Sequence, residues 1–198
     1  MFDPRLETPI MATTTTILSE HEYRELVQSD DDHSWELWDG VLVEKPPMSI
    51  KHDNESFLLG HFLQNQLDWR EFRVNVNGGK TRYTERNFYI PDVVVIPASY
   101  QLPYEDDPRS FNAYTEPLPF VAEVWSPSTG DYDIAAKLPL YRQRGDLEIW
   151  FIHPYERTLT VWRKQPDGSY AEEIYRGGIV AVASLPGVEI DLDALLAS

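Results

Sequence analysis

The sequence predicts an α/β or α+β domain, a mixed β-sheet flanked by helices with β-hairpins in its N- and C-terminal parts. Three observations carry this prediction. Short apolar segments of strand type interleave with stretches whose apolar residues share one helical face. Two pairs of strand-type segments flank turn signals, Asp39-Gly40 and Pro166-Asp167-Gly168. Hydrophobic residues are 42% of the 198 and aromatics 13%, enough to bury a core without disulfides or metals holding it together.

In chain order, residues 1–18 read as a flexible tail. Thr13 to Thr16 is a low-complexity run without apolar period, and Met11 is an alternative start to Met1. A single domain is expected over 19–198. Ser19-Glu20-His21-Glu22 fits a capping box, with Ser at the N-cap and Glu three residues later. Tyr23, Leu26 and Val27 share the face of the helix that follows, and Asp30-Asp31-Asp32 ends it, because acids at a C-terminus oppose the helix dipole. Residues 35–37 and 41–43 flank Asp39-Gly40 as a hairpin, and Pro46-Pro47 stops its second strand. Ser49 caps a long helix expected to reach about Trp69 on the apolar stripe Phe57, Leu58, Phe62 and Leu67. Residues 72–76 alternate as a strand, Gly78-Gly79 turns, and 89–96 reads as a nearly continuous buried run. Residues 97–118 hold four prolines and several acids and read as an exposed loop or insertion. A strand at 120–125, a helix at 131–144 and a strand at 147–152 follow. Residues 158–163 and 169–175 make the second hairpin, and Leu185-Pro186-Gly187 precedes a short helix from Leu192. No internal repeat is present.

Charge and composition exclude several classes of function. With 17 Lys+Arg against 33 Asp+Glu the net charge is −16, so the chain does not coat nucleic acid by bulk charge. Locally the balance reverses. Residues 70–90 contain Arg70, Arg73, Lys80, Arg82 and Arg86 against Glu71 and Glu85. A phosphate-facing strip carried by Arg73, Lys80 and Arg82 is one reading of that stretch; a solvated strand edge is the other. The absence of cysteine removes disulfides, thiolate zinc sites and cysteine catalysis. No apolar run approaches the roughly 20 residues of a membrane span, and no secretory signal is visible. These features point to a soluble, cytoplasmic protein without a membrane partner.

Two acids stand in apolar surroundings. Asp92 lies in Tyr89-Ile90-Pro91-Asp92-Val93-Val94-Val95-Ile96, and Glu123 in Phe120-Val121-Ala122-Glu123-Val124-Trp125. A buried carboxylate is costly unless paired or metal-bound, and two on neighbouring strands repel unless a cation lies between them. One such acid is better read as paired with an arginine or placed at a strand end; two favour a metal site. Asp133, Lys137 and Tyr141 follow at i, i+4 and i+8, so they share a helical face, and Lys137 can project back over the carboxylates. There it would orient a water or offset charge on a phosphoryl transition state. Pro139 breaks this helix or marks the first turn of a second one.

These residues resemble the PD-(D/E)XK phosphodiesterase superfamily, and the whole chain more closely resembles the Uma-type family of restriction endonucleases. The matching stretches are Trp35 to Val43, Pro91 to Val95, Glu123-Val124-Trp125-Ser126-Pro127-Ser128-Thr129, Asp133, Lys137-Leu138-Pro139-Leu140-Tyr141, Gly145 and Glu148 to Ile152, over about residues 20–195. The resemblance implies a restriction-endonuclease-like mixed sheet with Asp92 and Glu123 as metal ligands. It departs from the superfamily pattern at Trp125, where a lysine is expected two residues after the glutamate, and it suggests that Lys137 has taken that role. Glu36 and His52 match polar positions of the family. Glu36 is a further ligand or water-orienting acid on this reading and a solvent-facing hairpin residue on the plain one; His52 is more often a helix-start histidine.

Without cysteine and with scattered histidines, the carboxylates suit Mg²⁺ or Mn²⁺ rather than zinc. The expected reaction is metal-assisted hydrolysis of a phosphodiester bond in nucleic acid, DNA before RNA. The alternative is a catalytically inactive module of the same fold that binds nucleic acid or protein, which the −16 charge and Trp125 favour. A glycosidase dyad fits poorly, because both carboxylates lie in core-type segments. Six tryptophans and eleven tyrosines suggest a homodimer, whose two-fold axis would present two sites to a duplex.

Overall fold

The structure, a computed structural model, describes residues 16–30, 32–107 and 110–197. The expected tail therefore lies outside the described residues up to Thr15. In order, the elements are α1 (Glu20–Ser29), β1 (Ser34–Trp38), β2 (Val41–Lys45), α2 (Ile50–Gln64), β3 (Phe72–Val76), β4 (Thr81–Thr84), β5 (Asn87–Tyr89), β6 (Val93–Pro97), α3 (Ala98–Gln101), β7 (Phe120–Val124), α4 (Gly130–Tyr132), a π turn (Asp133–Lys137), α5 (Leu138–Arg144), β8 (Glu148–His153), β9 (Thr158–Lys164), β10 (Tyr170–Tyr175), β11 (Ile179–Ala181), β12 (Glu189–Asp191) and α6 (Leu192–Leu195). This is the mixed α+β architecture the sequence predicts.

A six-stranded sheet runs β10-β9-β8-β7-β6-β3, a four-stranded sheet β2-β1-β5-β4, and β11 pairs with β12. In the large sheet β7 and β8 are parallel, joined by the crossover through α4, the π turn and α5; the other pairs are antiparallel. Both faces of the large sheet are covered. Val93, Val95, Phe120, Ala122, Val124, Trp150 and Ile152 belong to one apolar cluster with α2 and α6 residues, and Val94, Ile96, Val121, Ile149 and Phe151 to another with Leu138 and Tyr141 of α5. Such two-sided burial produces continuous apolar runs in place of alternation.

Local chemistry sets the N-terminal elements. Ser19 and Glu22 form the expected reciprocal capping box at α1. Asp39 (φ 50°) and Gly40 (φ 83°) both occupy the left-handed region that a two-residue hairpin turn requires. Ser49 caps α2 by accepting from the His52 backbone N–H. The helix stops at Gln64, short of the expected Trp69. The Gln64 side chain turns to accept from the Val74 N–H, and the Asp68 carboxylate accepts from the Arg70 N–H, a turn-forming bond that competes with helix.

The run 89–96 is two strands, in different sheets. β5 ends at Tyr89 and β6 begins at Val93, with Ile90-Pro91-Asp92 crossing between them. Pro91, lacking an N–H, marks the break. Asp92 is thus the residue before β6, not inside a strand. The described part of residues 97–118 is a loop that begins with the helical turn α3 and a 3₁₀ turn at Leu102–Tyr104. The predicted helix 131–144 is interrupted at its centre. The Leu138 N–H reaches back five residues to the Asp133 carbonyl, and α5 starts with Pro139 in its first turn. A wider turn accommodates a proline that can neither donate to, nor sit close against, the carbonyl four residues earlier.

Candidate active site

The site forms where the two sheets meet the crossover helix, at the carboxyl end of β7. Register aligns its two central acids. Val93 pairs with Ala122 in β6–β7, which sets Asp92 opposite Glu123. Asp92 continues this ladder with its side chain, as Oδ2 accepts from the Val124 N–H at 2.8 Å. Oδ2 also accepts from His52 Nε2 at 2.9 Å, and Oδ1 from Lys45 Nζ at 2.7 Å. Burial pushes this carboxyl's pKa up, but Lys45 and His52 outweigh burial and hold it below the usual carboxylate range. The His52 imidazole is lowered by burial and raised more by Asp92, ending above its ordinary value.

A second group surrounds Lys137. Its ammonium lies 3.0 Å from Glu36 Oε1, 3.0 Å from Asp133 Oδ1 and 3.3 Å from Glu123 Oε1, with every partner buried. Burial alone would lower the lysine, yet Asp133, Glu123 and Glu36 carry it well above its ordinary value, so it stays charged. Glu36 Oε1 also accepts from the Ile90 N–H at 2.7 Å, which ties the hairpin to the passage between the sheets. Tyr141 donates its hydroxyl to Glu123 Oε1 at 2.5 Å. The other oxygen, Glu123 Oε2, is buried without a hydrogen-bond partner. Burial, with Asp133 and Asp92 adding to it, raises the Glu123 carboxyl well above its ordinary value against the opposing pull of Lys137.

The cluster is unbalanced, with four carboxylates (Glu36, Asp92, Glu123, Asp133) against two ammonium groups and His52. Among the described residues no group of three or more His, Asp or Glu is spaced to hold a metal ion. Two carboxylates remain enough for a hydrated Mg²⁺, which keeps several waters and uses one or two protein carboxylates. The orphaned Glu123 oxygen fits such an ion. A cavity of ≈ 20 Å³ lined by Glu36, Lys45, Asp92, Asp133 and Lys137, among others, has room for about one water-sized species beside Asp92, and Glu123 is not among its lining residues.

The structure thus brings Asp92, Glu123, Lys137 and Glu36 together, with Tyr141 and Asp133 on the face their spacing indicates. Glu36 faces inward, although Trp35 and Leu37 beside it suggest the opposite; both sides of β1 are covered, one by the Tyr23–Leu37–Phe88 cluster and the other by this site. Lys45, at the end of β2, carries no signal of its role in the sequence, and that of His52 is weak.

Arg73, Lys80 and Arg82 do not stand on one element. Arg73 sits on β3 of the large sheet, over the Trp69 ring and 3.7 Å from Glu105. Arg82 sits on β4 of the small sheet and pairs with Glu20 at 2.5 Å. Lys80 is half-buried between the Tyr23 and Phe111 rings and donates to the Tyr23 hydroxyl at 3.0 Å; burial lowers its pKa to about 8.

A family model for Uma2, described as a putative restriction endonuclease, matches residues 21–193. The chain belongs to the Uma2 family. Among solved structures it is similar to a putative nuclease belonging to DUF820 from Anabaena variabilis ATCC 29413, with a TM-score of 0.73, 18% identity, and coverage of 91% of this chain and 98% of that one. At that identity the likeness shows the fold alone. No curated protein matches. Among the described residues no helix is long and apolar enough to cross a membrane.

Proposed function

We propose that the chain is a metal-dependent endonuclease that hydrolyses phosphodiester bonds in DNA. The observation that carries this reading is the unbalanced carboxylate cluster with its orphaned Glu123 oxygen, set in a chain of the Uma2 family. Asp92 and Glu123 would hold Mg²⁺ or Mn²⁺. The bound ion supplies an activated water and offsets charge developing on the phosphoryl group. The protein's residues do the rest. Tyr141 engages one Glu123 oxygen and leaves the other free. The Val124 N–H and His52 orient Asp92. Lys137 is a fixed positive charge beside the reacting position, and Glu36 anchors it to the Ile90 backbone. A homodimer would present two such sites to a duplex, and the oligomeric mass from light scattering tests it.

Purified protein incubated with plasmid DNA and Mn²⁺ should nick or cut it. Asp92→Asn should lower the rate by more than about 100-fold, since removal of groups that merely orient ligands already costs 10–100-fold. DNA binding without Mn²⁺-dependent cleavage would favour the second reading, an inactive nucleic-acid-binding module. That reading draws on the engagement of both Asp92 oxygens by protein donors.

A further inference from the structure

Lys45 has an environment unlike that of a surface lysine. It ends β2 immediately before Pro46-Pro47, and its side chain is only 8% exposed. Its ammonium donates to Asp92 Oδ1 at 2.7 Å, to the Ile90 carbonyl at 2.9 Å and to Asn77 Oδ1 at 3.1 Å. Three oxygens for three N–H donors make a cage for a cation, with the carboxylate as its shortest contact. Lys45 also lies on the border of two cavities. One is the small buried space of the acid cluster; the other is an open groove of ≈ 490 Å³ lined by Asp32, His33, Glu44 and Asp53, among others.

We infer that Lys45 is a tethered cation that occupies the Asp92 Oδ1 position in the metal-free protein and yields it to the divalent ion when the ion binds. This rests on the reading of Asp92 as a metal ligand. A buried carboxylate with no cation is costly, and Lys45 removes that cost while no ion is present. Two cations cannot share one carboxylate oxygen in a dry site without strong repulsion, so the ion and the ammonium compete. The lysine stem is flexible and its charge compact, and the neighbouring groove gives the displaced ammonium a place in water beside acids. Lys45 therefore sets the metal affinity of the site by competition.

The test is calorimetric titration of Mn²⁺ alone into the full chain and two variants, with thermal unfolding as the check on folding. Lys45→Met should bind Mn²⁺ at least about tenfold more tightly than the wild type. Lys51→Met removes the same charge from the first turn of α2 and should change affinity by less than about twofold. Equal affinity of Lys45→Met and wild type, or equal tightening in both variants, overturns the competition and leaves the metal site standing. Absence of Mn²⁺ binding in all three proteins overturns the metal reading and this inference with it. If Lys45→Met does not fold, the wild type decides alone. The Lys45 side-chain ¹⁵N resonance should be observable without metal, because three hydrogen bonds slow its exchange. Saturating Mg²⁺ should shift or abolish it, and an unchanged resonance overturns the proposal.

Discussion

The parallel pair β7–β8 carries a buried charge cluster at each end, and the two differ in how they are satisfied. At the end where Phe120 pairs with Glu148, two carboxylates meet two guanidinium groups. Arg144 donates to both oxygens of Asp146, at 3.0 and 2.5 Å, and the Leu118 N–H adds a bond of 2.8 Å. Glu148 accepts from Trp150 Nε1, Arg163 Nε and the Ser184 N–H, so neither of its oxygens is orphaned. At the other end, past Val124 and Ile152, four carboxylates share two ammonium groups and His52, and Glu123 Oε2 has no partner. The first arrangement is complete within the protein and holds the crossover in place. The second leaves a buried carboxylate oxygen without a partner, and it lies at the carboxyl end of the strands, where open α/β sheets bind ligands.

If that contrast is right, mutations at the two ends have opposite consequences for stability. Asp146→Ala strands the buried Arg144 charge and the Leu118 N–H, and should cost about 3–5 kcal/mol in urea unfolding at pH 7. Glu123→Gln keeps an acceptor for Tyr141 and removes an ionisation the fold resists. It should leave the metal-free protein as stable as wild type or about 1 kcal/mol more so. A loss at Glu123 comparable to that at Asp146 would make the two clusters alike.

Glu55 of α2 offers a third, separate case, fully buried with neither oxygen hydrogen-bonded. Burial raises its pKa to about 7, against the opposing pull of Lys51, His52 and Arg157. The unfolded chain releases this proton near 4.5, the ordinary glutamate value, while the folded chain keeps it, so the native state binds more protons across that interval. Stability should therefore fall as pH rises from about 4.5 to about 7, by about 1–3 kcal/mol from this group. Glu55→Gln should flatten that slope in urea titrations at several pH values.

The smallest effect is expected at Arg82, whose pair with Glu20 is partly exposed. Arg82→Ala should cost about 0.2–1 kcal/mol and leave the salt dependence of DNA binding unchanged. A flattened salt dependence would restore Arg82 as a phosphate contact.

What the sequence discloses follows how local each signal is. The capping box at Ser19, the Asp39-Gly40 turn and the convergence of Asp133, Lys137 and Tyr141 depend on spacings of eight residues or fewer, and the structure forms all three. The partners of Asp92 are 47 residues away at Lys45 and 40 away at His52, so the cage around it has no sequence pattern. An acid in an apolar segment does not by itself separate the two clusters either, because Glu148 sits in one as fully as Glu123 does. Counting the cations within reach separates them. Arg73 and Arg82 are close in sequence but belong to different sheets, a placement that their spacing alone does not reveal. The paired three-residue strands β11 and β12 are too short for alternation to reveal.

The claim that the carboxyl end of β7–β8 is a cation site is tested most directly by thermal unfolding of wild type, Glu123→Gln and Asp146→Asn with and without Mn²⁺. An ion that binds only the folded state raises its melting temperature by mass action. Wild type and Asp146→Asn should shift upward with Mn²⁺, from different starting points, while Glu123→Gln should lose most of the shift. No shift in wild type, or an equal shift in Glu123→Gln, would contradict the assignment.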